Sequence, residues 1–193
     1  IPGYRFARAR VPSGGLVSTV PDLLRFAALH LDRHHPAAAD LAVLRRPLAD
    51  GVGGRWGTGW ALDEIDGTAL ALHSGSYGGF QSQLVLVPDR ALAVAVLTNS
   101  SRGSAVVRTV VEHVLAVACG LRRPAPVAVP VAAEPLVGRY AAAGLTVDVR
   151  ATGAGLEVTQ RSRTPAGVES VLPPLDGIPV AAAPPRFVVA AGE

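Results

Sequence analysis

The 193 residues contain no lysine and no methionine. All the positive side-chain charge besides histidine rests on arginine, so no lysine base or Schiff-base amine can act within this sequence. Without methionine the sequence reads as a fragment or a processed product. The single cysteine, Cys119, excludes an internal disulfide and a cysteine-rich zinc site. It lies in an apolar run and reads as a buried, inert thiol. Aromatic residues are 5% of the chain, and the net charge of +3 comes from scattered arginines. A nucleic-acid surface needs a dense basic stripe with aromatics beside it, so none is expected. No uninterrupted apolar run of about 18 residues occurs, so no membrane-spanning helix is predicted. Ile1-Pro2-Gly3-Tyr4-Arg5 lacks the regions of a signal peptide. No phosphate-binding loop or dinucleotide fingerprint is present, and no cofactor is expected.

What remains is ample material for a core. Apolar residues make up 49% of the chain. Residues 12–17, Pro-Ser-Gly-Gly-Leu-Val, read as a tight loop. Thr19 has the character of an N-cap, with Pro21 and Asp22 in the first turn. Val20, Leu23, Leu24, Ala27 and Leu31 follow at helical spacing, and the helix should stop between His30 and His34. A second helix is predicted over 37–46. Strands are predicted over 56–62, 68–73, 80–87 and 91–98, the last buried on both faces. Short turns between successive strands imply antiparallel neighbours. Residues 104–119 show a helical pattern closed by Gly120. Residues 122–135 read as a stiff Pro/Ala/Val linker. Beyond it, 145–150 and 156–160 alternate around a Gly-containing turn, the mark of a hairpin.

One stretch is chemically unusual. His73-Ser74-Gly75-Ser76-Tyr77-Gly78-Gly79-Phe80 lies between two apolar runs. Clustered glycine in a strand context marks a place where another backbone or a ligand comes close. The bland alternatives are a strand-end histidine bonded to solvent or backbone, and a solvent-facing Ser74. Trp56 and Trp60 read as core packing. His30 and His34 are four residues apart, a spacing that can ligate zinc. No glutamate lies between them, no third ligand is evident, and histidine is favoured at a helix C-terminus anyway. No metal is therefore assigned.

Four segments, in order, resemble the serine β-lactamase and penicillin-binding-protein-like family. That family includes class C β-lactamases, D-alanyl-D-alanine carboxypeptidases, D-aminopeptidases and related esterases. The segments are Pro12 to Thr19 with Asp22-Leu23 and Arg25-Phe26; Trp56-Gly57-Thr58-Gly59-Trp60; His73 to Phe80; and Pro88-Asp89 with Val96-Leu97-Thr98-Asn99. The resemblance covers about 1–120. It implies an α+β fold, an α/β sandwich with antiparallel strands packed on helices. Residues 1–121 would be the C-terminal half of a β-lactamase/transpeptidase-like domain, 122–135 a linker, and 136–193 a small β domain. The family builds its site from Ser-x-x-Lys, Tyr-x-Asn and a triplet such as His-x-Gly. The first needs lysine, and neither Tyr4, Tyr77 nor Tyr140 begins the second. Only the third is present, as His73-Ser74-Gly75. The resemblance thus implies a C-terminal part only, inactive alone, whose partner is a missing N-terminal half.

The resemblance also implies roles. His73 would face the cleft and assist proton movement. The Ser76 backbone N–H would point into an oxyanion hole. Ser74 would touch a substrate carboxylate or amide, and Gly75 would keep the strand wall low. The substrate would be a small-molecule or peptide-like acyl compound: an ester, a peptide or a β-lactam. The competing reading is a non-catalytic binding or scaffolding module whose open strand edge takes a partner.

Overall fold

The structure is a computed structural model that describes residues 8–51, 54–100, 102–124, 134–153, 155–163, 169–171, 175–180 and 186–189. It divides into two compact units, Ile1–Arg123 and Pro124–Glu193. Among the described residues, no helix is long and apolar enough to cross a membrane.

The first unit contains a one-turn helix, α1 (Val11–Gly14), then α2 (Val20–Leu31) and α3 (Ala38–Val43). Six strands follow: β1 (Ala49–Gly51), β2 (Gly54–Trp56), β3 (Ala61–Ile65), β4 (Thr68–Tyr77), β5 (Phe80–Val87) and β6 (Leu92–Thr98). Helix α4 (Gly103–Cys119) completes it. The strands form one sheet in sequence order, each antiparallel to its neighbour. Two turns explain this simple order. Asp66-Gly67 and Gly78-Gly79 all have positive φ, the conformation that two-residue hairpins demand and that glycine and aspartate tolerate best.

Strand alternation divides the core into two layers. On one face Leu70, Val85, Val87 and Val94 bury against Val111, Leu115 and Leu121 around α4. On the other, Ala71, Leu84 and Leu86 bury with Trp60 and with Ala27 of α2. Full burial of one such aliphatic side chain is worth about 1.5–3 kcal/mol. Thr19 caps α2 by accepting the Asp22 N–H, as its residue type predicts. Helix α4 ends with Gly120 at φ 70°, where Leu121 N–H donates to Leu115 C=O and Gly120 N–H to Ala116 C=O. Leu121 then folds back into the core.

Several details differ from the sequence-based expectation, the first being that helix α1 takes up Pro12 to Gly14 of the loop predicted over 12–17. The strand predicted over 56–62 is broken: Gly57 N–H donates to Trp60 C=O, and Gly59 adopts φ 76°. That turn drops Trp60 into the core, 4% exposed, and β3 starts only at Ala61. Strand β4 runs four residues past His73, to Tyr77, so most of the glycine-rich stretch is strand rather than loop. In β6, only Val94 is buried; the flanking residues are half-covered or exposed.

The second unit is all β among its described residues, apart from one short 3-10 turn at Glu134–Leu136. Strands β7 (Gly138–Ala142), β8 (Leu145–Thr152), β9 (Gly155–Arg163), β11 (Leu175–Val180) and β12 (Arg186–Val189) pair in the order β12-β11-β9-β8-β7, and β10 (Glu169–Val171) pairs with β9. Its buried core is small: Val149, Leu156 and Val158, flanked by Leu136 and Val147. Arg139 grips Asp148 by two hydrogen bonds of 2.7 and 3.2 Å. This bond to Arg139 chiefly holds the Asp148 carboxyl below the usual carboxylate range. Most of the linker predicted over 122–135 lies outside the described residues.

Candidate active-site strand

The geometry of the His73 stretch follows from its two flanking turns. In a two-residue antiparallel hairpin, the residues that flank the turn exchange both backbone hydrogen bonds, and bonded pairs then alternate. Ile65 faces Thr68 across one turn, and Tyr77 faces Phe80 across the other. Counting from the first turn, Thr68, Leu70 and Leu72 direct their backbone groups toward β3. Counting from the second, Tyr77, Gly75 and His73 direct theirs toward β5. The two counts agree. Strand β3 pairs no further along β4 than Ala61 opposite Leu72. Ser74 and Ser76 therefore turn their N–H and C=O groups toward a sheet edge that no described strand occupies.

Side chains obey the complementary alternation. Ala71 and Leu84 lie in the α2-side core, which places His73 and Gly75 on that same face. Ser74 and Ser76 project to the α4 side. All four residues are exposed. The Ser76 hydroxyl accepts a 2.9 Å hydrogen bond from Gln81 Nε2 of the facing strand. The structure thus brings the four predicted residues together on one strand, but it separates the His73 imidazole from both serine hydroxyls by the thickness of the sheet. An imidazole-activated serine within this stretch is not available. At the open edge Ser76 presents its backbone groups. A Cβ on Gly75 would lie 2.5 Å from Ser82 Oγ. The same hydroxyl sits 3.5 Å from Gly75 C=O, so β4 and β5 approach closely here.

The other histidine of interest behaves differently. His30 is 5% exposed and meets Phe26 and Trp60 at ring-centroid distances of 4.6 and 5.2 Å. Its Nδ1 lies 3.1 Å from Arg45 Nη1. Burial, and then the Arg45 charge, push its pKa below the ordinary histidine value. Helix α2 ends at Leu31, and His34 lies beyond it, exposed. The two histidines therefore do not share a helix face. The His30–Arg45 contact is absent from the sequence-based site. A usable signal existed: His30 falls three residues after Ala27, on the helix face that is buried. Cys119 is half-buried beside the α4-side core, less enclosed than expected.

Residues 2–118 match the family described as Beta-lactamase. The chain belongs to the β-lactamase family. Among the relatives of this β-lactamase-family chain, Penicillin-binding protein 4 of Amycolatopsis lactamdurans is 32% identical over 151 residues, in a match that covers 69% of this chain and 40% of that protein. The crystal structure of SurE with D-Leu superposes with a TM-score of 0.53 at 25% identity, covering 86% of this chain and 46% of that one. The crystal structure of SurE gives the same TM-score at 24% identity, covering 86% of this chain and 44% of that one, and supports the fold. The chain thus spans less than half the length of these relatives.

The family match corrects three linked expectations. The β-lactamase-family region begins at residue 2 and fills the N-terminal part of this chain, so the chain is not a C-terminal-only piece of such a domain. The α+β arrangement of helices on strands likewise occupies this N-terminal part, not a C-terminal half. A missing N-terminal half is accordingly withdrawn as a partner. All three expectations were built on the absence of Ser-x-x-Lys. The absence of a motif bears on chemistry; it does not locate the start of a domain.

Proposed function

We propose that this β-lactamase-family chain supplies the oxyanion and substrate-pairing wall of a serine acyl-transfer site acting on an ester, a peptide or a β-lactam. One observation carries the reading: Ser74 and Ser76 present their backbone groups at the open edge of β4, beside the end of β3. An extended substrate can pair with that edge as an added strand, which fixes its acyl carbonyl near the Ser76 N–H. A donor held there by the sheet needs no reorganisation as negative charge develops on the carbonyl oxygen. Gly75 keeps the α2-side surface low beside the edge. His73, on that surface, is free to approach a reacting group from the α2 side and to assist proton movement there. Ser74, two residues before Ser76, is placed to bond a substrate carboxylate or amide through its backbone or hydroxyl.

The SurE structure with D-Leu supports a D-amino-acid residue as the acyl or amine component. The 193 residues hold no lysine, so the lysine-assisted serine of the family is not supplied by them, and we propose that they do not turn over substrate by themselves. The same lack of lysine, with the open edge, favours the second reading, a non-catalytic module that captures an extended peptide.

Amide chemical shifts of the full chain, titrated with acetyl-D-Ala-D-Ala, test the shared part of both readings. The expected response is a shift of the Ser74 and Ser76 amides with the β5 amides unmoved. A response confined to other residues refutes edge pairing. Assay of a chromogenic β-lactam and a D-leucyl ester then addresses chemistry. Stoichiometric acylation or turnover by this chain would show a nucleophile inside it and overturn the proposal that these residues do not turn over substrate by themselves. Hydrolysis limited to a protein that also carries a lysine-assisted serine would favour the catalytic reading over the capture module.

A further inference from the structure

Arg45 holds its guanidinium against the α2-side core, and the core offers it no counter-ion. It is half-buried, and burial pushes its pKa below the ordinary arginine value. Its Nη1 contacts His30 Nδ1 at 3.1 Å and donates to Leu41 C=O at 3.3 Å. Among the described residues, no acceptor meets its Nε or Nη2, and no carboxylate pairs with it. His30 cannot serve as a counter-ion, because imidazole is neutral or positive. A guanidinium taken partly out of water with half its fork unused is a costly arrangement, unless an anion completes it.

A cleft of about 610 Å³ supplies the space. Arg45 lines it together with Arg55 and Glu64, while Leu62, Ala69 and Ala71 contribute from β3 and β4. Leu62 faces Ala71 and Glu64 faces Ala69 in the strand register, so these four side chains stand side by side on the α2 face of the sheet. The floor is thus small and aliphatic, and two arginines and two acidic groups line the cleft: Glu64 at the floor's end, and Asp63, which is already paired with Arg123. A cleft of mainly apolar lining with a few convergent charges is what a small ligand requires.

We infer that this cleft binds a small aliphatic carboxylate, an amino acid among them, with the carboxylate on Arg45, the aliphatic body on Leu62 and Ala71, and any ammonium group toward Glu64. Arg45 is the natural anchor because its fork can take both oxygens of one carboxylate. The site is separate from the open edge of β4, and its occupancy does not depend on acyl transfer at that edge.

The test compares 4-methylpentanoate with its neutral amide, 4-methylpentanamide, on the unsubstituted full chain by ligand-observed NMR. The two probes share an aliphatic body and differ in charge. The carboxylate is expected to bind at least about tenfold more tightly, the fold-change that loss of a charge-assisted hydrogen bond produces. Leucine should compete with it. Arg45→Gln should abolish the preference and Arg45→Lys should retain part of it, with Trp60 fluorescence reporting that each variant is folded. Equal affinity of acid and amide, or no binding of the acid at about 10 mM, where millimolar affinities are detectable, overturns the inference. So does an unchanged preference in folded Arg45→Gln. Because the acid–amide comparison uses the unsubstituted chain, it remains decisive even if Arg45→Gln does not fold.

Discussion

Gly103→Ala is a direct probe of how tightly α4 is docked on the sheet that carries the candidate site. Gly103 opens α4 and is buried against Thr98, the last residue of β6. A Cβ added there would lie 1.8 Å from Thr98 Oγ1, 2.8 Å from Thr98 Cβ and 3.2 Å from Thr98 Cγ2. Rotating the threonine moves Oγ1 but leaves its Cβ too close, so the start of the helix must lift. Overpacking of this kind costs about 1–3 kcal/mol. Alanine recovers up to about 1 kcal/mol in helix propensity, less at a first-turn position. The net expectation is a loss of about 1–2 kcal/mol. Urea unfolding followed by tryptophan fluorescence is the assay, since both tryptophans, Trp56 and Trp60, lie in the first unit. With a urea slope of about 2 kcal/mol/M, the midpoint should fall by about 0.5–1 M. In a Thr98→Gly background the obstructing atoms are gone, and Gly103→Ala should become neutral or stabilising. An undiminished midpoint in the native background, or the same loss in both backgrounds, would refute the packing argument.

Ser76→Pro should leave the β4–β5 ladder intact, because the Ser76 N–H points away from β5, yet it should abolish the response of the open edge to acetyl-D-Ala-D-Ala in the amide-shift titration. Ser76→Ala, which keeps the N–H, should preserve that response; loss in both would contradict a backbone donor. Stability of the first unit should also fall as the solution is acidified. The folded-state pKa of His30 lies below the unfolded value near 6.5, so its stabilising contribution is complete above about pH 6.5 and is lost as pH falls toward the folded pKa. Urea midpoints at pH 7.5 and 5.5 measure this, and the difference should shrink in His30→Phe.

Much of the fold was legible because local signals and burial agreed. The Thr19 cap, the Gly120 terminator and the apolar runs of β5 each had one reading, and each element formed where its pattern lay. The glycine-rich stretch was harder. Three glycines suggested a loop, but Gly75 is accommodated inside a strand because it faces Ser82 at close range, and only Gly78-Gly79 make the turn. Trp56 to Leu62 looked like one strand, since nothing local reveals that Trp60 must reach the α2 core and that Gly57 must turn to let it. A Cβ on Gly57 would meet Leu44 C=O at 2.4 Å, a tertiary constraint that the sequence does not display. The third-motif residues were legible by resemblance, and their faces were not, because which side of β4 each occupies depends on where α2 and α4 dock. His30 and Arg45 escaped notice for a related reason: fifteen residues separate them, and only the packing of α3 against α2 joins them.

The two turns that bound β4 have a consequence for how this region can change. Ten residues lie between them, and the turns fix the parity of the strand from both ends. Any side chain but proline at position 76 leaves the same N–H pointing at the open edge. Loss or gain of a single residue between Gly67 and Gly78 would instead turn that N–H toward β5, or force a bulge, whatever residue stood there. A two-residue change would lengthen or shorten the edge and keep its polarity. The region should therefore tolerate variation in letters far better than variation in odd-numbered length. What the edge presents is specified by a count of residues between two turns rather than by the chemistry of a serine.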